Sequence, residues 1–255
     1  MVEPFVKRRA RPLPGSIPDV LQIFLAEVRL YREIAPVVGV RVPGCLNAEE
    51  VDGATYLLLE NLSAWRPGAE PTAPARILAT MHERWQGAAS DRWPWLRTPG
   101  AAGELVGDLF DKTWPTLASR SDCTPTVRAV GERLYGHVPS YERLAGASGP
   151  STLVHGDASM LNIRTSPAGE VALLDWEDVG AAPGVTDLAW LLISSIEPAQ
   201  WGETVTAYGK AAGLRDALPA VASQAILSLA DTPAGSEDAV NWVRRIEAAH
   251  RWASA

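Results

Sequence analysis

The chain has 255 residues, 47% of them hydrophobic, which is enough to bury a sizeable core as one large domain or two lobes. Its formal net charge of −7 argues against nucleic acid as the main partner, since neutralising phosphates requires a basic face. No segment is apolar for long enough to span a membrane. The basic N-terminus MVEPFVKRRARPLPGS lacks the apolar stretch of a secretory signal, so a cytoplasmic location is expected. Cys45 and Cys123 have neither metal-site spacing nor an oxidising address and are expected to be reduced thiols.

Pro4 to Lys7 is a short apolar segment ending in a lysine. Asp19 to Ile34 then reads as one helix, with apolar residues at Val20, Ile23, Phe24, Val28, Leu30 and Tyr31 forming a face. Val40 to Glu49, a turn at Asp52-Gly53, and Ala54 to Glu60 give a strand, turn, strand pattern. Arg66 to Ala75 is rich in Pro and Gly and reads as a crossing between lobes. Mostly helices follow: Ala75 to Gln86, roughly Glu104 to Leu117, Pro125 to Leu144, Leu188 to Ile196, and three more from Gln200, Leu218 and Asp238. The tryptophans clustered at Trp85, Trp93, Trp95 and Trp114 suit either an aromatic pocket or, better, the core of a helical lobe.

The segment LVHGDASMLNIRTSPAGEVALLDWE, Leu153 to Glu177, carries the chemistry. Transfer of a terminal phosphoryl group to a hydroxyl depends on positioning and charge neutralisation. One carboxylate must face the acceptor hydroxyl, and Asp157 lies in a small-residue turn after an apolar run. Asn162 offers a neutral oxygen and Asp175 a carboxylate, the hard donors that Mg²⁺ prefers. Between them, Asn162 to Arg164 and Val171 to Leu174 read as two strands around a Ser166 to Gly169 turn, a hairpin that returns Asp175 towards Asn162. A His-x-Asp-x4-Asn match arises by accident on the order of once in a hundred chains this long. The alternative is a surface loop of capping Asp and Asn side chains beside an ordinary hairpin.

These motifs resemble those of the aminoglycoside phosphotransferase and choline kinase family. The likeness extends through Asp175-Trp176-Glu177 to Asp187-Leu188-Ala189. It implies an α+β, two-lobed protein-kinase-like fold with a truncated, β-rich N-lobe over residues 1–64 and a large, mostly helical C-lobe over 65–255. By resemblance Asp157 is the catalytic base, with Asn162 and Asp175 as magnesium ligands. Lys7 would contact the nucleotide phosphates, oriented by Glu27, with Glu33 a competing choice. The run LLLENLSAW resembles the last N-lobe strand and hinge, where backbone groups of Glu60 to Leu62 would meet the adenine edge. Asp187 would hold the catalytic loop, although spacing alone equally fits a helix N-cap. His82 would be a packing or polar-core residue.

One departure stands out. The resemblance implies two strands and a phosphate-covering loop before the strand lysine, yet six residues precede Lys7. A start further upstream, a protein partner completing the lobe, or loss of transfer would each explain this; Asp157, Asn162 and Asp175 argue against the last. The expected activity is transfer of phosphate from ATP or GTP, with Mg²⁺, to a hydroxyl of a small molecule or natural product such as an antibiotic. A Ser/Thr peptide kinase working with a partner protein and a pseudokinase scaffold are the alternatives. Acceptor specificity is expected from the helices after Trp201, where Glu203, Asp231, Glu237 and Asp238 are scattered.

Overall fold

The computed structural model describes residues 3–254. The first sheet is antiparallel with strand order β1-β3-β2, formed by β1 (Phe5–Arg9), β2 (Cys45–Val51) and β3 (Ala54–Leu59). Its central strand alternates as a half-buried strand should: Leu57 and Leu59 are buried beneath it, and Lys7 lies opposite Leu57.

The helical run expected over Asp19 to Ile34 is broken. The chain forms α1 (Ile17–Val20), takes a left-handed turn at Gln22 with φ +51°, and continues as α2 (Ile23–Arg29). A wider π-type turn over Leu30–Ile34 closes the segment. Of the expected face, Val28, Leu30 and Tyr31 are buried, but Val20 is exposed and Ile23 and Phe24 are half-buried, because periodicity cannot register one residue leaving helical φ.

Beyond Leu59 the chain runs through Glu60 to Trp65 and forms β4 (Arg66–Pro67), a strand that Pro and Gly had disguised as a plain crossing. β4 pairs with β6 (Ile163–Thr165), which pairs with β7 (Val171–Leu173), so the expected hairpin is one edge of a three-stranded sheet. A two-stranded ribbon of β5 (Ser151–Val154) and β8 (Gly180–Pro183) brackets the motif segment.

The remainder is helical: α3 (Thr72–Trp85), α4 (Ala89–Arg92), α5 (Gly103–Ala118), α6 (Pro125–Leu134), α7 (Val138–Gly146), α8 (Val185–Ser195), α9 (Trp201–Tyr208), α10 (Leu214–Ala230) and α11 (Glu237–Ser254). The single helix expected over Pro125 to Leu144 is two, because Gly136, at φ +71°, turns the chain where an L side chain would be strained. α10 packs on α7, α8 and α11. α8 is buried almost all round, with Leu188, Leu191, Leu192 and Ile193 fully enclosed, each worth about 2 kcal/mol of transfer free energy. Both cysteines are free, and no helix among the described residues is long and apolar enough to cross a membrane. Trp85, Trp93 and Trp114 are core residues, as their placement in a helical lobe suggested.

Candidate active site

The loop from β5 to β6 carries the first set of groups, and α8 fixes it. Asp187, 1% exposed in the first turn of α8, accepts the backbone N–H of His155 at 2.7 Å and of Gly156 at 2.9 Å. It does not cap its own helix. Its third partner is His82 Nε2 at 3.1 Å, and His82 Nδ1 lies 2.8 Å from the Tyr208 hydroxyl, so His82 is the polar-core residue expected. Burial opposes the Asp187 charge, but the hydrogen bond and charge of His82, with the loop N–H groups, outweigh it and hold the carboxyl below the usual range. Gly156 adopts φ +86°, and a Cβ there would sit 2.0 Å from the Asp178 carbonyl oxygen.

His155 ties this loop to the next. Its Nδ1 accepts the Asp157 N–H at 3.2 Å, which leaves Nε2 to donate to the Leu174 carbonyl at 2.9 Å. Its ring also packs on Trp176, with centroids 4.3 Å apart. Asp157 is held from both sides: Asn162 Nδ2 donates to Oδ2 at 2.8 Å and Trp190 Nε1 to Oδ1 at 2.5 Å. Burial pushes the Asp157 carboxyl up; the Trp190 hydrogen bond is the largest effect opposing it. Because the Asn162 NH₂ is committed to Asp157, its Oδ1 is left as the acceptor for another group.

The Leu174 N–H donates to the Asn162 carbonyl at 2.8 Å, which brings the end of β7 beside Asn162. Asp175 follows in a left-handed conformation, φ +58°, and reaches Lys7. Lys7 Nζ lies 2.7 Å from Glu27 Oε2, 2.5 Å from Asp175 Oδ1 and 2.6 Å from Glu177 Oε1, and Glu177 also takes Arg9 at 2.6 Å. Three carboxylates thus face two cations. Burial alone would lower the Lys7 pKa, but Glu27 and its neighbours raise it. Burial pushes Glu27 up to about 7 despite Lys7. One oxygen from each of Glu27, Asp175 and Glu177 lies within 4.8 Å of the others. This excess of hard negative oxygen, with Asn162 lining the same cavity as Glu27 and Asp175, fits a divalent cation such as Mg²⁺.

A cavity of about 510 Å³ joins these groups to the first sheet; Lys7, Glu27, Asn162, Asp175 and the Glu60 to Ser63 segment line it. Its volume suits a drug-sized ligand. Of the two glutamates proposed beside Lys7, Glu27 makes the pair, while Glu33 accepts the Trp95 N–H at 2.9 Å. The Glu60 side chain is taken by Arg41 at 2.6 Å and the Gly44 N–H at 2.9 Å, the pairing that lowers its pKa, and its own N–H donates to the Gly44 carbonyl at 2.7 Å, so its carbonyl is what is left to face a ligand. Leu62 is buried, and its carbonyl accepts the Trp65 N–H at 2.9 Å.

On the other side of the Asp157 loop lies a second cavity of about 170 Å³ lined by Gly156, Asp178, Trp190, Glu142 and Gln224. Glu203, Asp231, Glu237 and Asp238 do not line it; its carboxyl groups are those of Glu142 on α7, Asp178 and Asp187. Sequence reasoning thus missed Trp190, Glu177 and Glu142. Trp190 stands three residues after Asp187, one turn along the same helix face, and Glu177 two after Asp175, so both were within reach of spacing arguments.

A two-lobed arrangement, with a small antiparallel sheet over a helical lobe and this acid–amide–acid set between them, defines a protein-kinase-like phosphotransferase. The chain belongs to the phosphotransferase enzyme family, whose model matches residues 4–223. Among solved structures it is similar to an aminoglycoside phosphotransferase from Streptomyces rimosus in complex with ADP and streptomycin, at 18% identity and a TM-score of 0.58 over 86% of this chain and 85% of that one. It is also similar to a choline kinase from Streptococcus pneumoniae, at 17% identity and a TM-score of 0.53 over 96% and 85%. A third likeness is to a microcompartment-associated aminopropanol kinase, at 15% identity and a TM-score of 0.51 over 98% and 86%. No curated protein sequence matches the chain.

Proposed function

We propose that this phosphotransferase moves the terminal phosphate of ATP, with Mg²⁺, to a hydroxyl of a small molecule. The observation that carries the reading is the joining of Lys7, Glu27, Asn162, Asp175 and the Glu60 to Ser63 backbone around one cavity, with Asp157 hydrogen-bonded to Asn162 at its edge. The similar enzyme from Streptomyces rimosus is a complex with ADP, which supports an adenine nucleotide in the equivalent cleft.

In this reading Lys7, charged among its carboxylates, binds phosphate oxygens, and Glu27 orients it. Backbone groups from Glu60 to Leu62 meet the adenine edge, with no side-chain chemistry needed there. Asn162 Oδ1 and Asp175 would hold Mg²⁺, with Glu177, clustered with Asp175, sharing the charge. When bound, the ion neutralises phosphate charge and fixes phosphate orientation. Asp157 accepts the proton of the acceptor hydroxyl, its carboxylate aimed by Trp190 and Asn162.

Calorimetric titration of the purified chain with ATP, with and without Mg²⁺, tests this against Asp175→Ala. Metal-dependent binding abolished in the variant is expected. Binding that is equal with and without the metal, or unchanged in the variant, refutes the assignment of Asp175.

A further inference from the structure

The cavity of about 510 Å³ has one buried polar group in its wall that nothing in the protein satisfies. Tyr31 is 3% exposed, and its hydroxyl has no hydrogen-bond partner among the described residues. The other side chains with a buried atom in that condition, Ser16, Arg97, Glu142 and Arg245, do not line this cavity. Burial, helped by the charge of Glu27, pushes the Tyr31 pKa well above its ordinary value, so the phenol keeps its proton. Burying a hydroxyl without a partner is costly, and a phenylalanine would fill the same space without that cost.

Position gives the hydroxyl a use. Tyr31 stands four residues after Glu27, one turn further along the same segment, and both line the cavity with Lys7, Leu59 and Asp175. The other side-chain donors of this cavity are engaged or exposed. Lys7 and Arg9 meet carboxylates, Asn61 Nδ2 donates to the Glu3 carbonyl at 3.0 Å, the Asn162 NH₂ is committed to Asp157, and Arg164 donates to the Leu161 and Ile163 carbonyls. Arg8 lies over the Tyr56 ring, and Ser63 is exposed. We propose that Tyr31 is a nucleotide-binding residue, its hydroxyl donating a hydrogen bond to an acceptor atom of the bound nucleotide, either the purine N7 or a phosphate oxygen. The inference rests on the phosphotransferase reading above.

Tyr31 shares the cavity wall with both ends of a nucleotide placed as above: Lys7 and Asp175 at the phosphates, and Leu59, which leads into the Glu60 to Leu62 backbone, at the base. That backbone takes the amino edge of adenine and leaves N7 free. N7 and the phosphate oxygens both accept hydrogen bonds, and a neutral phenol donates to either without adding charge. In the nucleotide-free protein the unpaired hydroxyl destabilises the fold, and in the complex it is a contact. Its removal should therefore move stability and affinity in opposite directions, whereas a tyrosine kept for packing leaves affinity unchanged.

The test is calorimetric titration of wild type and Tyr31→Phe with ATP and with tubercidin triphosphate, in which a C–H replaces the purine N7, at saturating Mg²⁺, beside thermal scans of both proteins without nucleotide. Tyr31→Phe is expected to weaken ATP binding about five- to tenfold, while the Tm of the nucleotide-free variant equals or exceeds that of wild type. If N7 is the acceptor, wild type binds the analogue more weakly than ATP by the same factor, and Tyr31→Phe adds no further loss. If a phosphate oxygen is the acceptor, the variant loses affinity equally for both nucleotides. A nucleotide-free variant that is less stable than wild type, or that fails to fold, overturns the proposal, because the hydroxyl then has a partner within the protein. ATP binding by wild type that stays within about twofold in Tyr31→Phe overturns the Tyr31 assignment alone; absence of ATP binding by wild type overturns the phosphotransferase reading and this proposal with it.

Discussion

Replacing Asp187 by Asn changes little in volume and removes the acceptor that three donors share. Its carboxylate takes the His155 N–H and His82 Nε2 on Oδ2 and the Gly156 N–H on Oδ1. An amide offers one oxygen and one NH₂, so in either orientation the NH₂ faces at least one buried donor. Leaving a buried donor unpaired costs about 1–3 kcal/mol, and hydrogen bonds to a charged acceptor are worth about 1.5–3 kcal/mol each. Asp187→Asn should therefore lose about 3–5 kcal/mol of stability. At about 2–4 °C per kcal/mol for a chain of this size, Tm should fall by roughly 10 °C. Urea titration followed by circular dichroism, with a thermal scan, measures both. The wild type should also lose this advantage as pH falls, because a carboxyl held below its unfolded pKa stabilises only while ionised; Asp187→Asn should therefore show a flatter acid limb. A loss under about 1 kcal/mol would refute the anchoring role, since the loop N–H groups would then have found partners elsewhere.

Trp190→Phe keeps an aromatic wall but removes the N–H on Asp157 Oδ1; kcat should fall about tenfold with the KM for ATP within about twofold, and an unchanged kcat would show that Asn162 alone aims the carboxylate. Gly156→Ala should abolish turnover or leave the chain insoluble, because the added Cβ meets the Asp178 carbonyl oxygen at 2.0 Å and φ is +86°; soluble, active protein would contradict that geometry. Glu27, raised from 4.5 to about 7 chiefly by burial, favours the folded state while protonated, so its contribution is present below pH 4.5 and is lost as pH rises through 7. In the absence of nucleotide and metal, the wild type should lose on the order of 3 kcal/mol relative to Glu27→Gln between pH 4.5 and 8, as measured by paired urea titrations; parallel curves would mean that Lys7 compensates the charge in full.

The parts of the site that were legible in the sequence are those fixed by short spacing. Asp157, Asn162 and Asp175 lie within one loop and one hairpin, where turn residues and strand alternation determine what can meet. Lys7 and Glu27 needed the family resemblance, because nothing local says that β1 and α2 will face each other. Helix breaks escaped at Gln22 and at Gly136, since apolar periodicity survives a single residue outside helical φ. The smaller cavity was least legible: Glu142 and Gln224 lie on helices far apart in sequence, and only the packing of α7 on α10 puts both beside Gly156.

α8 reaches Asp157 by two routes, gripping the backbone of the two residues before it through Asp187 and its side chain through Trp190. The Asp157 carboxylate therefore takes its position from a buried helix as well as from the loop that bears it. The smaller cavity beside it is walled by the 97–102 segment, α7, α8 and α10 together. Side chains of α7 and α10 that face this cavity can change its size or charge without moving Asp157, whereas those of α8 cannot. A scaffold built this way can move among alcohol substrates by small steps, each intermediate still able to transfer phosphate.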